Sequence, residues 1–346
     1  MNIELLRELT EAHGTSGHEG ALREIVRREL GGIAELSTDA MGSVIALKKG
    51  EGKKKVLIAA HIDEIGFLVK FIDGSGFLRL VPMGGWDPRQ MNSQRVVVTT
   101  KNGPIKGLLM YGTKPAHMLS DAEKNGGQKL EEFFVDLGLS VDDVKASVRL
   151  GDPVTMDRPL QQTGEMLTSK AMDDRVGVFV MIEAIRAAAS HSADIYAVAT
   201  TQEEIGLRGA TAAGWAIQPD VAIALDITLA NDIPGVPEQD HVTQLGKGAA
   251  IKIVDSSLIC HPGIVEHFRT IAERDGIPHQ MEILPRGGTD AGGIQRLHGG
   301  IPSFTLSIPT RYVHTVNESV SAKDVQACID LLARYIEEVG EADYSL

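Results

Sequence analysis

Apolar positions along the chain follow two rhythms, one helical and one strand-like. Leu5, Leu6 and Leu9 share one face of a helix near the start. Ser16 with Glu19 makes the Ser-x-x-Glu pattern of a capping box ahead of a second helix in ALREIVRREL. Two strand-like runs follow, MGSVIAL (41–47) and KVLIAAHID (55–63). The second is continuously apolar, as in a strand buried on both faces. From about Phe71 to Gln162 the texture changes to short alternating segments, VVVTT and IKGLLMYG among them, separated by the turn signals IDGSG, TKNGP, GDPV and MDRP. This stretch predicts a β-rich module, a partial barrel, with one helical piece near KLEEFFVDLG. After Thr168 helices and strands alternate again. Helical periodicity covers 175–189, 261–276 and 322–339, with a short helix in GATAAGWAI, and strands are predicted over 194–201, 221–226 and 301–308.

Alternation on both sides of the β-rich stretch predicts one α/β domain with a mixed central sheet flanked by helices, built from residues 1–69 and 163–346. The inserted β-rich domain then spans 70–162. The chain of 346 residues carries a formal charge of −13, which argues against a nucleic-acid partner, since phosphate binding needs a basic footprint. No apolar run reaches the roughly 20 residues that cross a bilayer, so no membrane partner is expected. MNIELLRELTEAHG lacks the basic n-region of a signal peptide. Cys260 and Cys328 are far apart and lack metal-type spacing, which suits a reducing cytoplasm.

Several acidic and imidazole residues share one context, the carboxyl end of a predicted strand or the turn beyond it. His61 ends VLIAAH, Asp173 lies in SKAMDDR before a helix, Glu203 and Glu204 follow IYAVATTQ, Asp226 ends VAIALD, and His314 follows FTLSIP in RYVHT. In open α/β sheets ligands bind outside the carboxyl ends of strands, so these side chains can converge. Histidine nitrogen and carboxylate oxygen are ligands of catalytic zinc, and a spare carboxylate beside metal-bound water serves as a general base. Taken singly, each residue has another reading. The Asp173–Asp174 pair suits a helix N-cap, adjacent glutamates suit a solvated face, and Asp226 can cap a turn. Taken together and in this order, they are specific.

The stretches AAHIDEIGFLV, PMGGWDP, SKAMDDRVG, TTQEEIGLRGA, ALDITLANDIPG, PRGGTDAGGIQ and IPTRYVHT, from residue 59 to 315, resemble the tetrahedral (glutamyl) aminopeptidase family of co-catalytic metallopeptidases. The resemblance implies a zinc-exopeptidase-like fold in which the inserted domain serves dimerisation. It also implies two divalent metal ions, zinc or cobalt. Asp173 would bridge them, His61 and Asp226 would complete one site, and Glu204 and His314 the other. Glu203 would be the general base for a metal-bridging hydroxide, and Asp63 would support His61. A cis peptide bond joining Asp173 to Asp174 is a further expectation. By the same resemblance Arg286, Gly288 and Asp290 line the substrate pocket. An arginine there favours acidic side chains, although Arg286 pairing with a surface carboxylate accounts for it equally well. The implied reaction removes the N-terminal residue of short peptides, and the implied assembly packs dimers into a tetrahedral dodecamer. The same metal core serves deacylases and carboxypeptidases, and an endoglucanase is a further alternative. GGTDAG and the β-rich insertion favour the aminopeptidase. One departure is Ala249 in LGKGAAI, where relatives usually carry proline.

Overall fold

The computed structural model describes residues 1–114, 116–121 and 126–346. Its larger part is an eleven-stranded mixed sheet. Across it run Glu35–Thr38, Val44–Lys48, Asp194–Thr200, Lys55–His61, Val221–Leu229, Ser303–Arg311, Glu318–Ser321, Met166–Ser169 and Gln161–Thr163, with Ala249–Val254 and His279–Ile283 branching from Ser303–Arg311. The four central strands, 194–200, 55–61, 221–229 and 303–311, are mutually parallel, so their carboxyl ends open on one edge.

The continuous apolar run in the Lys55–His61 strand has a direct cause. Val56, Ile58 and Ala60 face one core, Leu57 and Ala59 the other, and all are fully buried. Helices Met172–Ala187 and Ala322–Glu338 cover the first face, and the shorter Arg208–Ile217 and Asp290–Ile294 cover the second. A strand so enclosed has no polar face to show.

The second unit is a closed six-stranded antiparallel barrel made of Gly66–Ile72, Leu78–Met83, Phe133–Asp136, Gly103–Tyr111, Gln94–Thr100 and Pro153–Met156. It has its own core, including Phe67, Leu78, Val96, Val98, Leu109 and Val135. The strand Gly66–Ile72 begins before residue 70, so the boundary expected there falls inside a barrel strand. The hairpin Gln161–Thr163 and Met166–Ser169 belongs to the large sheet.

Three local expectations are corrected. The barrel is closed, because Pro153–Met156 pairs with both Gly66–Ile72 and Gln94–Thr100. The segment KLEEFFVDLG holds a 3₁₀ turn at Leu130–Glu132 and then a strand, because Phe133 and Val135 alternate into the barrel core. The helix lies further on, at Val141–Ser147, where the Ser140 side chain accepts the Asp143 N–H. Finally, Ser16 and Glu19 form no capping box. The helix Gly20–Leu30 starts at Glu19 without a side-chain cap, and the Ser16 hydroxyl instead donates to Asp63 Oδ2 at 2.6 Å.

Candidate metal centre

The carboxyl edge of the sheet gathers the residues singled out above. His61 is the last residue of its strand, Asp226 lies within Val221–Leu229, and Glu203 and Glu204 sit just beyond Asp194–Thr200. Asp173 opens the helix Met172–Ala187 with non-helical backbone angles, and its peptide bond to Asp174 is cis, as expected. His314 follows Ser303–Arg311 in a loop where Tyr312 and His314 both have left-handed backbone, φ 60° and 59°.

Asp173 lies between the two imidazoles. Its Oδ1 is 3.0 Å from His61 Nε2 and its Oδ2 is 3.3 Å from His314 Nε2. Two groups of donor atoms each fall within 4.8 Å: His61, Asp173 and Asp226, then Asp173, Glu204 and His314. Glu204 Oε2 is 3.8 Å from His314 Nε2, and Glu203 Oε2 is 3.9 Å from His61 Nε2.

Asp63 anchors this arrangement from beneath. It is fully buried, and its carboxylate accepts the Glu203 N–H at 3.0 Å, the Glu204 N–H at 3.2 Å and the Ser16 hydroxyl. His61 Nδ1 lies 3.1 Å from the Asp63 carbonyl and 3.5 Å from its Oδ1. With Nδ1 turned to Asp63, Nε2 is the nitrogen aimed at Asp173, and its lone pair becomes available to a cation once its proton leaves.

Glu318 was not singled out from the sequence. It opens the short strand ESVS, is 1% exposed, and accepts the Asp173 N–H at 3.0 Å and the His314 N–H at 2.8 Å. Only its two backbone donors give it away, and no spacing rule exposes those.

The charge balance indicates what the site can hold. Carboxyls of Asp173, Asp174, Glu203, Glu204, Asp226, Asp290 and Glu318 interact with one another around two imidazoles, His61 and His314. Burial pushes Glu203, Glu204, Asp174 and Asp226 well above the ordinary carboxylate range. Burial and the nearby Asp173 charge raise Glu318 to about 8, and burial raises Asp290 to about 6. Asp173 moves the other way, because bonds to His314 and His61 outweigh its burial. The same contacts outweigh burial at the imidazoles and carry His314 up to about 10. Glu204 Oε1, Asp174 Oδ2 and Asp290 Oδ1 are buried without a hydrogen-bond partner. Buried carboxylates with unfilled lone pairs are costly unless a cation or proton compensates them. The donor set, mixed nitrogen and oxygen with an acidic surplus, fits divalent metal ions.

A cavity of about 520 Å³ opens onto the cluster, lined by apolar Leu207, Leu229, Leu284 and Val313 and by Arg286 and Gly288. Asp290 is placed differently from Arg286 and Gly288. It is 2% exposed, accepts the Thr200 hydroxyl at 2.5 Å, and is not among the residues lining the cavity.

The barrel approaches the cluster through the loop that holds Gly84 and Gly85. The loop GGWDP, residues 84–88, leaves the strand Leu78–Met83, and Trp86 stacks on Phe67 at 4.9 Å while donating to the Gly66 carbonyl at 3.0 Å. A Cβ on Gly84 would lie 3.1 Å from Glu204 Oε2 and 2.5 Å from Ile65 Cγ2. One on Gly85 would lie 3.3 Å from His314 Nδ1. With Gly84 at φ +82°, only glycine suits this approach.

A mixed sheet with a buried carboxylate–imidazole cluster at its strand ends, joined to a closed barrel, belongs to the metal-dependent aminopeptidases. The match to the M42 glutamyl aminopeptidase model runs over residues 42–331, and the chain belongs to that family. A shorter match, to a model described as AMPT, covers residues 2–25. The lysyl aminopeptidase of Pyrococcus furiosus is 36% identical over 99% of each chain. An aminopeptidase structure from the archaeon Desulfurococcus kamchatkensis is 40% identical, with a TM-score of 0.92 over 97% of this chain and 94% of its own. The TET1 peptidase of Pyrococcus horikoshii, described as assembling into a tetrahedron or a large octahedral shell, is 30% identical, with a TM-score of 0.87 over 97% and 99%.

Proposed function

We propose that this aminopeptidase works with two divalent cations, His61 and Asp226 holding one, Glu204 and His314 the other, and Asp173 shared between them. The observation that carries the reading is the pair of donor groups that have Asp173 in common, with Glu203 beside them. Zinc suits these donors, and cobalt shares them. When bound, the cations polarise the scissile carbonyl and make the attacking water more acidic. Glu203 takes a proton from that water on a carboxylate oxygen and returns it to the leaving amine nitrogen. Asp63, gripping the amides of Glu203 and Glu204, keeps the base aimed into the site.

Substrates are short peptides whose free N-terminus reaches the carboxylates through the cavity. The first side chain packs against Leu229, Leu284 and Val313, with Arg286 and Gly288 at the wall. Arg286 is the one charged residue among those lining the cavity that lies outside the carboxylate–imidazole cluster. Family membership favours this reading over a deacylase, a carboxypeptidase or an endoglucanase. The barrel is the self-association surface. Phe71, Val81 and Leu108, exposed on barrel strands, support this, as does the shell described for the Pyrococcus horikoshii relative. A tetrahedral dodecamer gives a light-scattering mass near twelve times 37.1 kDa. The free, buried Cys260 and Cys328 suit a reducing cytoplasm.

Glu203→Gln tests the assignment. It keeps its metal and loses about 10²–10⁴-fold in turnover on aminoacyl anilides, the contribution of a positioned general base. Asp173→Asn loses metal. Undiminished turnover in the Glu203 variant refutes the role of Glu203, and equal activity on N-acyl substrates or cellulose refutes the aminopeptidase chemistry.

A further inference from the structure

We infer that Glu318 is a positioning residue that sets the geometry of the Glu204–His314 site, an inference that rests on the two-cation reading above. Glu318 stands on a rigid base. Its backbone pairs with Ser169, and Ser319 and Val320 pair with Arg311 and Thr310, so it is held between the segments that lead to Asp173 and to His314. Its carboxylate joins two residues far apart in the chain, taking the N–H of Asp173, 145 positions before it, on Oε2 and the His314 N–H on Oε1. Both oxygens are therefore committed to backbone donors, and Glu318 belongs to neither group of metal-binding candidates.

The two ends of this clamp are not equally dependent on it. Asp173 is also fixed by its helix and by His61 at 3.0 Å. His314 lies in the loop 312–317, has left-handed backbone and a side chain 37% exposed, and its backbone N–H donates to Glu318. The loop is packed on either side of His314, Val313 against the main core and Val316 in the barrel core, so the Glu318 carboxylate is the polar tie at His314 itself. Loosening Glu318 thus frees His314 more than Asp173. The site holding His314 should weaken, while the site holding His61 and Asp226 keeps its donors.

Cobalt titration of the metal-free protein, followed by visible absorption and calorimetry, separates the two sites. Glu318→Gln keeps the size but offers one acceptor oxygen, and its NH₂ group faces the other backbone donor. The expected result is a first equivalent bound as in the parent and a second weakened about 10–100-fold, the usual effect of losing an outer partner of a ligand. Circular dichroism and assembly size should be unchanged. If Glu318→Gln fails to fold, Glu318→Asp, one methylene shorter with the charge kept, carries the same readout. Two equivalents bound as tightly as in the parent overturn the inference, as does equal weakening of both. Uptake of a single equivalent by the parent protein overturns instead the two-cation reading beneath it.

Discussion

Replacing Asp63 with asparagine isolates the anchor beneath the site without changing its volume. Asp63 Oδ1 accepts the Glu203 N–H, and Oδ2 accepts the Glu204 N–H and the Ser16 hydroxyl. Whichever way an amide turns, its NH₂ group meets a backbone N–H. The Ser16 hydroxyl can rotate to accept a hydrogen bond, but a peptide N–H cannot. At least one bond to a charged acceptor is lost, worth about 1.5–3 kcal/mol, and a buried donor is orphaned in its place. The strained segment is the turn that carries Glu203 and Glu204, where Gln202 already has left-handed backbone at φ 57°. Asp63→Asn should therefore lower the urea midpoint of the metal-free protein by an amount equivalent to about 2 kcal/mol. It should also reduce metal affinity or turnover about 10–100-fold. A variant that matches the parent in unfolding midpoint, zinc affinity and turnover within a factor of two would refute the anchoring role.

Chelation should abolish activity, and restored zinc at 1,000 times its Kd should stabilise the folded chain by about 4 kcal/mol, read as a rise in melting temperature. Zinc binding should strengthen as pH rises. Burial holds Glu204 and Asp226 high, and carboxylate contacts, outweighing burial, hold His61 and His314 high, so the metal-free site keeps protons that a cation must expel. Calorimetry in buffers of different ionisation enthalpy should register that release, and a buffer-independent heat contradicts it. Both thiols should resist alkylation until the protein unfolds, since burial pushes Cys260 up to about 12 and Cys328 is fully enclosed. Leu57→Ala, within the doubly covered strand, should cost about 2–5 kcal/mol in urea unfolding without changing the metal site.

Much of this arrangement is legible because the central strands are enclosed on both sides. A run such as VLIAAH has few other readings, and a histidine ending it marks a strand end open to ligands. Order along the chain did the rest, since no single acidic residue differs in kind from a helix cap or a surface carboxylate. The misses share a cause in partners distant in sequence. Ser16 looked like a local cap, yet its hydroxyl serves Asp63, 47 residues on. Phe133 and Val135 look helical beside Leu130 until the barrel supplies a core for alternate residues. Glu318 begins four unremarkable residues, and its importance lies in two backbone amides that only the folded chain brings within reach. Asp290, read beside the glycines of its turn, instead points inward to Thr200.

The glycine pair at the barrel's tip ties the two halves of the chain together. Because Gly84 and Gly85 close against Glu204 and His314, the barrel cannot be treated as a detachable adaptor bolted onto a self-sufficient catalyst. Excising it would strip Glu204 and His314 of the backbone that Gly84 and Gly85 bring against them. Swapping in a foreign barrel would succeed only if that graft reproduced the same bare-backbone tip. Mutational drift should therefore be forbidden where the barrel touches the chemistry.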